Sequence, residues 1–202
     1  MLTIALPKGR IADETLDRFE KAFGEKFVFE DRKLILEKSG FKFLNVRNQD
    51  VPTYVMHGAA DLGVVGLDVL EEKEYDLIKL LDLKLGRCKV AFGLRAGEKL
   101  NFDKSKITIA TNHEKIAKKY FEQKAMAVEI IKLYGSIELA PLVGLCDCIV
   151  DIVETGETMK QNGLEVGPTI METTAHLIAN KNSFYAKKDL IFDLKDKLEK
   201  FL

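Results

Sequence analysis

The densest set of groups able to do chemistry in this 202-residue chain is Asp151-Ile152-Val153-Glu154-Thr155-Gly156-Glu157-Thr158-Met159. The apolar run Cys148-Ile149-Val150 leads into it, and a small polar turn follows the two acids. That is the pattern of a strand that ends, turns tightly and opens a helix. The first N–H groups of a helix lack intrahelical partners and point outward, so they can hold a phosphate. Thr155 and Thr158 add hydroxyl donors, and Gly156 lets an anion approach the backbone closely. Asp151 and Glu154, just before the turn, would suit ribose hydroxyls or a magnesium ion. The same letters also describe an ordinary helix after a strand, capped by Thr155, and the local pattern does not separate the two.

A second group is basic. Leu6-Pro7-Lys8-Gly9-Arg10 puts two cations and a glycine between a strand and a helix. Cations oppose the dipole at a helix start, so Lys8 and Arg10 break a local rule that a bound polyphosphate would reconcile. Arg32 and Arg47 sit beside strand candidates, and guanidinium forks suit diphosphate oxygens. Asp50, Asp61 and Asp68 lie around turns, where a carboxylate is often a turn former. His57, His113 and His176 are scattered and read as structural histidines. Neither Gly-x-x-x-x-Gly-Lys-Ser/Thr nor Gly-x-Gly-x-x-Gly occurs, so phosphate binding must use another device. Cys88, Cys146 and Cys148 lack zinc-site or disulfide-framework spacing and read as small buried thiols.

Composition bounds the frame. A hydrophobic content of 47% supports a real core, and a net charge of −1 gives no footprint for non-specific nucleic-acid binding. The chain opens on a strand-like run with no charged-then-apolar leader, and no apolar run is long enough to span a bilayer. A reduced, cytoplasmic protein is expected.

Apolar runs alternate with helical patterns, which predicts an α/β fold. Strands are expected over 2–6, 33–36, 42–46, 62–65, 77–83, 88–94, 107–110, 127–133, 148–153 and 175–179. Helices are expected over 11–23, 52–57, 114–123 and 139–145, with a final one marked by Leu190, Ile191, Leu194, Leu198 and Phe201. The two halves echo each other. Thr3-Ile4-Ala5 recurs as Thr108-Ile109-Ala110, and Gly58-Ala59-Ala60-Asp61 is matched by Gly144-Leu145-Cys146-Asp147. The repeat is weak. It implies two lobes of similar build, residues 1–88 with 175–202 and residues 89–174, the final strand and helix returning to the first. Two such lobes leave a cleft, a favoured ligand site.

The chain resembles the ATP phosphoribosyltransferase family. The resemblance is carried by Glu138, Gly144, Cys146, Ile149, Asp151, Ile152, Thr155, Gly156, Thr158 and Met159, with Cys146 where the family has Ala, Gly or Ser. Leu6–Arg10, Val46-Arg47, Asp50, Pro52-x-Tyr54-Val55, Gly58, Asp61, Gly63, Gly66 and Asp68 follow the family's first-lobe pattern. In Ala110-Thr111-Asn112, a Lys commonly stands where this chain has Asn112. The resemblance covers nearly the whole chain. It implies two α/β lobes around a cleft, like a type II periplasmic binding protein. It also implies the first step of histidine biosynthesis: transfer of the phosphoribosyl group of phosphoribosyl pyrophosphate (PRPP) to N1 of the adenine of ATP. The length is that of the short form, without the long form's C-terminal regulatory domain. Short forms are similar in requiring a histidyl-tRNA-synthetase-like partner subunit, in a hetero-octamer.

On this resemblance the 5-phosphate of PRPP lies on Thr155, Gly156, Glu157 N–H and Thr158, with Asp151 and Glu154 on ribose hydroxyls. Lys8, Arg32 and Arg47 are the expected catalytic cations, and Arg10 and Asp68 the expected contacts to ATP or pyrophosphate. Magnesium is the expected cofactor, held mainly by substrate oxygens. The competing readings are a non-catalytic two-lobe binding protein and an inactive PRPP-binding regulator.

Overall fold

The computed structural model describes residues 1–101 and 103–202. In chain order the elements are β1 (Leu2–Pro7), α1 (Arg10–Phe23), β2 (Ile35–Lys38), β3 (Phe41–Val46), α2 (Val51–Met56), β4 (Leu62–Gly66), α3 (Leu67–Lys73), β5 (Ile78–Asp82) and β6 (Cys88–Arg95). Then follow β7 (Ile107–Thr111), α4 (Glu114–Glu122), β8 (Val128–Lys132), α5 (Leu139–Leu142), β9 (Cys148–Val153), α6 (Glu157–Gln161), β10 (Leu164–Thr173), β11 (Ala175–Ala179), α7 (Lys181–Ala186) and α8 (Lys188–Glu199). The chain divides into two compact units, Met1–Arg87 with Thr174–Leu202, and Cys88–Thr173.

The first unit is a mixed sheet in the order β2-β3-β1-β4-β11-β5. β3, β1 and β4 are parallel, and β11 runs antiparallel to both of its neighbours. Alternation along β1 sends Leu2, Ile4 and Leu6 to one face and Ala5 to the other. On the first face α1 buries Leu16 and Phe19 beside Ile191, Leu194 and Leu198 of α8. On the second, Val51 and Val55 of α2 and Val69 of α3 close over Ala5, Val65 and Ile178. Both faces are therefore covered, as parallel strands require.

Asp61 opens β4 and ties this unit together. Its carboxylate accepts the Thr3 N–H (2.9 Å), the Ser183 hydroxyl (2.7 Å) and the Lys187 ammonium (2.7 and 2.8 Å). Burial raises the carboxyl, and the bonds from Lys187, Thr3 and Ser183 outweigh it, holding the group below its ordinary value of 3.8. Asp61→Ala is expected to lower the unfolding free energy by about 2–3 kcal/mol at neutral pH, the scale of lost charge-assisted bonds and an orphaned N–H. That figure already discounts the partly solvated Lys187. A carboxyl depressed by folding contributes fully above 3.8 and loses its contribution as pH falls through the folded value. Urea midpoints at neutral and at acid pH measure this, and an equal loss at both would remove the electrostatic share.

The second unit is a sheet in the order β10-β6-β9-β7-β8. β8, β7 and β9 are parallel, and β6 is antiparallel to both β9 and β10. Phe92, Ile107, Ile109, Val150 and Phe121 of α4 pack on one face. Ala91, Ala110, Ile149, Ala140 of α5 and Met159 of α6 pack on the other. The echo seen in the sequence is a repeated geometry. Asp147 accepts the Thr108 N–H (2.8 Å) and returns its own N–H to the Thr108 carbonyl (2.8 Å). Asp61 does the same with Thr3, at 2.9 and 2.8 Å. In each unit the aspartate fastens the third parallel strand to the first.

Four elements depart from the sequence expectation. β10 spans Leu164–Thr173 although Gly167-Pro168 interrupts it. It is tolerated because β10 is an edge strand whose register against β6 shifts between Val166 and Thr169, where proline need not donate. α3 and α7, of 7 and 6 residues, are too short to display a helical period. β2 lies at Ile35–Lys38, two residues after the expected strand start, because its pairing with β3 is set by the turn at Ser39-Gly40.

Candidate functional site

β9 delivers the acids and the turn. It is the middle strand of β6-β9-β7, paired through Val150 with Phe92 on one side and Thr111 on the other. Buried neighbours on both sides fix its register, so Asp151, in the C-terminal half of the strand, is held in one position only. The turn closes at Gly156, with φ +81°, where a Cβ would stand 2.8 Å from Val166 Cγ2. A side chain there is strained by backbone and neighbour alike, which explains the glycine. Gly156, not Thr155, is the cap residue of α6. Thr155 Oγ1 instead accepts the Glu157 N–H at 3.3 Å, and α6 runs for only 5 residues.

A cavity of about 340 Å³ lies against this turn, lined among others by Glu138, Asp151, Glu154, Thr155, Gly156 and Thr158. Its volume falls within the range of small-molecule sites, roughly 300–1,000 Å³. Five of the expected PRPP contacts therefore share one cavity wall. Glu157 does not line it: its carboxylate accepts the Gln161 amide at 3.1 Å, and its N–H is held by Thr155. Asp151 is half-buried, and its Oδ1 accepts the Ile152 N–H at 2.8 Å. Burial pushes its carboxyl above the ordinary range, and the Glu138 carboxylate adds to the rise. The Ile152 N–H and His113 oppose it. Perturbed carboxyls of this kind cluster at functional sites.

The remaining expected residues belong to the first unit, where Lys8, Arg32 and Arg47 lie by the carboxyl ends of β1 and β3. Lys8 follows the C-terminal end of β1, and its N–H donates to Val46 O at 2.8 Å. Lys8 and Arg47 thus leave adjacent parallel strands side by side. The Asn45 N–H donates to Leu34 O at 2.9 Å, so the turn holding Arg32 comes alongside the same end of β3. Arg10 opens α1 and pairs with Glu14 at 3.5 Å, one turn on, which offsets its position at the positive helix end. Gly9, with φ +91°, supplies the bend between Lys8 and Arg10 that other residues rarely adopt. Lys8, Arg10, Arg32 and Arg47 are exposed, whereas Asp68 is buried in the first turn of α3. Carboxyl ends of parallel strands are where α/β sheets bind ligands.

Two residues at the second unit's cavity had no functional reading in the sequence. Cys88 is half-buried and lines the cavity instead of sitting in the core. His113 is buried with Nδ1 3.9 Å from Asp151 Oδ1. The internal echo carries a signal for it: His113 follows Thr108 by the offset that separates Lys8 from Thr3. Among the described residues no three His, Cys, Asp or Glu side chains converge on a metal position. No helix of the described residues is long and apolar enough to cross a membrane.

Comparison with known proteins agrees with this anatomy. The ATP phosphoribosyltransferase family profile matches residues 47–200. An ATP phosphoribosyltransferase of Wolinella succinogenes is 66% identical over 200 residues, covering 99% of this chain and 97% of that protein. Among solved structures, the ATP phosphoribosyl transferase (HisG:HisZ) complex from Thermotoga maritima superposes with a TM-score of 0.83 at 36% identity, covering 99% of this chain and 98% of that one. The periplasmic aliphatic sulphonate binding protein SsuA from Escherichia coli superposes with a TM-score of 0.64 at 13% identity, covering 98% and 71%, and shares the fold alone. The two α/β units are thus of the periplasmic-binding-protein type, and by profile and identity over nearly its whole length the chain belongs to the ATP phosphoribosyltransferase family.

Proposed function

We propose that the Asp151–Met159 turn holds the phosphoribosyl end of PRPP in the reaction of this family. The chain transfers the phosphoribosyl group of PRPP to N1 of the adenine of ATP, releasing pyrophosphate, the first step of histidine biosynthesis. The observation that carries the residue assignment is the cavity against a glycine-capped turn, with two threonines and three acids on its wall.

Thr155, Gly156 and Thr158 cradle the 5-phosphate, joined by the Glu157 N–H once it exchanges Thr155 for a phosphate oxygen. Asp151 and Glu154 take the ribose hydroxyls. The lone pair of N1 forms the new bond to C1 while the C1–O bond breaks, and pyrophosphate leaves with that electron pair, inverting the carbon. Attack and departure around an electron-poor ribose carbon give oxocarbenium character, so stabilising the leaving charge is the main electrostatic task. Lys8, Arg32 and Arg47 supply that positive charge, and Arg10 and Asp68 contact ATP or pyrophosphate. N1 carries no proton, so no general base is needed and positioning dominates. Magnesium would enter with the substrate, held mainly by substrate oxygens, and would help to neutralise the departing pyrophosphate.

The Thermotoga maritima relative is a HisG:HisZ complex, which supports a hetero-oligomer for this chain; the partner proposed is a histidyl-tRNA-synthetase-like regulatory subunit, in a hetero-octamer. A cytoplasmic location accords with a biosynthetic role on soluble phosphorylated substrates. Thr158→Ala is expected to raise the KM for PRPP by about 5–10-fold, the loss of one hydrogen bond to a charged group, with a smaller change in kcat. Wild-type kinetics in that variant would overturn the cradle assignment.

A further inference from the structure

His113 ends the loop from β7 into α4 and is fastened to the strand that carries Asp151. Its N–H donates to Thr111 Oγ1 at 2.8 Å, and the Thr111 hydroxyl donates to Val150 O at 2.6 Å. Its side chain is 7% exposed and is not part of the cavity wall, whereas Asp151 is. His113 Nδ1 and the Ile152 N–H both face Asp151 Oδ1, at 3.9 and 2.8 Å. Among the described residues no protein donor reaches Oδ2, which leaves that oxygen for a ligand. The other ionisable groups at this place are Glu138 from the turn before α5, Cys88 of β6 and Glu154 of the turn itself. The β6 residue opposite Asp151 is Ala91, which brings no charge. His113 thus sets a basic group beside these acids, and Lys8 holds the matching place in the first unit.

We propose that His113 is a positioning residue for Asp151, holding Oδ1 from behind so that Oδ2 presents a fixed carboxylate to the ribose of PRPP. The inference rests on the assignment of Asp151 to the ribose. A separation of 3.9 Å is an ion-pair distance, and contacts of this kind shorten to hydrogen bonds when substrate is bound. The imidazolium offsets the burial of Asp151 and the charge of Glu138, both of which disfavour the carboxylate.

The test is the KM for magnesium–PRPP, with kcat, from about pH 6 to about pH 9, across the range in which histidine titrates, measured on the full chain with its regulatory subunit. His113→Leu is expected to raise this KM about 10-fold at the acid end, with kcat less affected. The penalty is expected to shrink toward the alkaline end, where an imidazole has no charge to lend and a carboxyl ionises without it. His113→Asn keeps a donor without the charge and recovers part of the loss. A penalty of equal size at every pH would mark a merely structural residue and overturn the proposal. Asp151→Asn in the same titration separates the two failures: retained PRPP affinity there defeats the ribose assignment, while lost affinity with unaffected His113 variants defeats only the role of His113. NMR titration of the three histidines needs no His113 variant. In Asp151→Asn the His113 imidazole titrates at lower pH than in the wild type, and an unchanged His113 titration overturns the pairing.

Discussion

Asp151→Asn is expected to lower kcat/KM for PRPP by roughly 10–100-fold, the loss of about 1.5–3 kcal/mol from a charged hydrogen bond to the substrate. The isosteric amide keeps the contact shape, so the change isolates the charge. The variant is expected to be no less stable than the wild type, and slightly more stable at neutral pH. Folding raises the Asp151 carboxyl by burial and by the Glu138 charge. A carboxyl raised by folding destabilises the native state where it is ionised, above its folded value, and the penalty disappears at acid pH, below its unfolded value. Activity and stability therefore move in opposite directions, as for a group held ionised for function. Steady-state kinetics and a urea titration on one preparation measure both. A large activity loss accompanied by a stability loss of similar size would assign Asp151 to the scaffold instead.

Phe19→Ala is expected to lower the unfolding free energy by about 3–5 kcal/mol, a large share of the roughly 5–15 kcal/mol of a typical domain. Phe19 is fully buried on α1 and meets four other rings. Its centroid lies 5.1 Å from Phe43 and 5.3 Å from Phe41, both edge-on. Phe27 is edge-on at 6.0 Å, and Phe23 is stacked at 5.7 Å. The rings come from α1, β3 and the segment between them, so collapse around the missing ring would require shifts in a strand and a helix together. At about 2–4 °C per kcal/mol for chains of this size, the melting temperature is expected to fall by on the order of 10 °C. Circular dichroism melts check this. Below the transition any rise in the KM for PRPP is expected to come through the first-unit cations Lys8, Arg32 and Arg47, because the Asp151 cavity is built wholly from the second unit. A loss under about 1 kcal/mol would show that the cluster relaxes around the gap.

Much of this anatomy is local, and local features are legible in a sequence. The strand at Cys148–Val153 follows from an apolar run closed by a turn, and so does β1, which ends at Pro7 before Gly9. Gly156 and Gly9 announce turns because few other residues adopt their backbone angles. The echo of Thr3 and Asp61 in Thr108 and Asp147 was visible as letters, because the same backbone pairing selects the same residue types in both units. The family to which the chain belongs was readable too, through the resemblance that Glu138 to Met159 and the first-lobe pattern carry.

Other features exist only once distant segments meet. β10 is a strand because β6 offers it a free edge, and its own Gly167-Pro168 argues the other way. Cys88 looks like a core thiol until β6 sets it beside the turn of β9. His113 and Asp151 are separated along the chain by a helix, a strand and a second helix, and parallel pairing of β7 with β9 brings them to 3.9 Å. Residue type and spacing determined the glycine turn after β9, because backbone angles are properties of a few consecutive residues. Only the tertiary structure decided what stands behind Asp151, because electrostatic neighbours in a sheet are set by strand order, which no local pattern encodes.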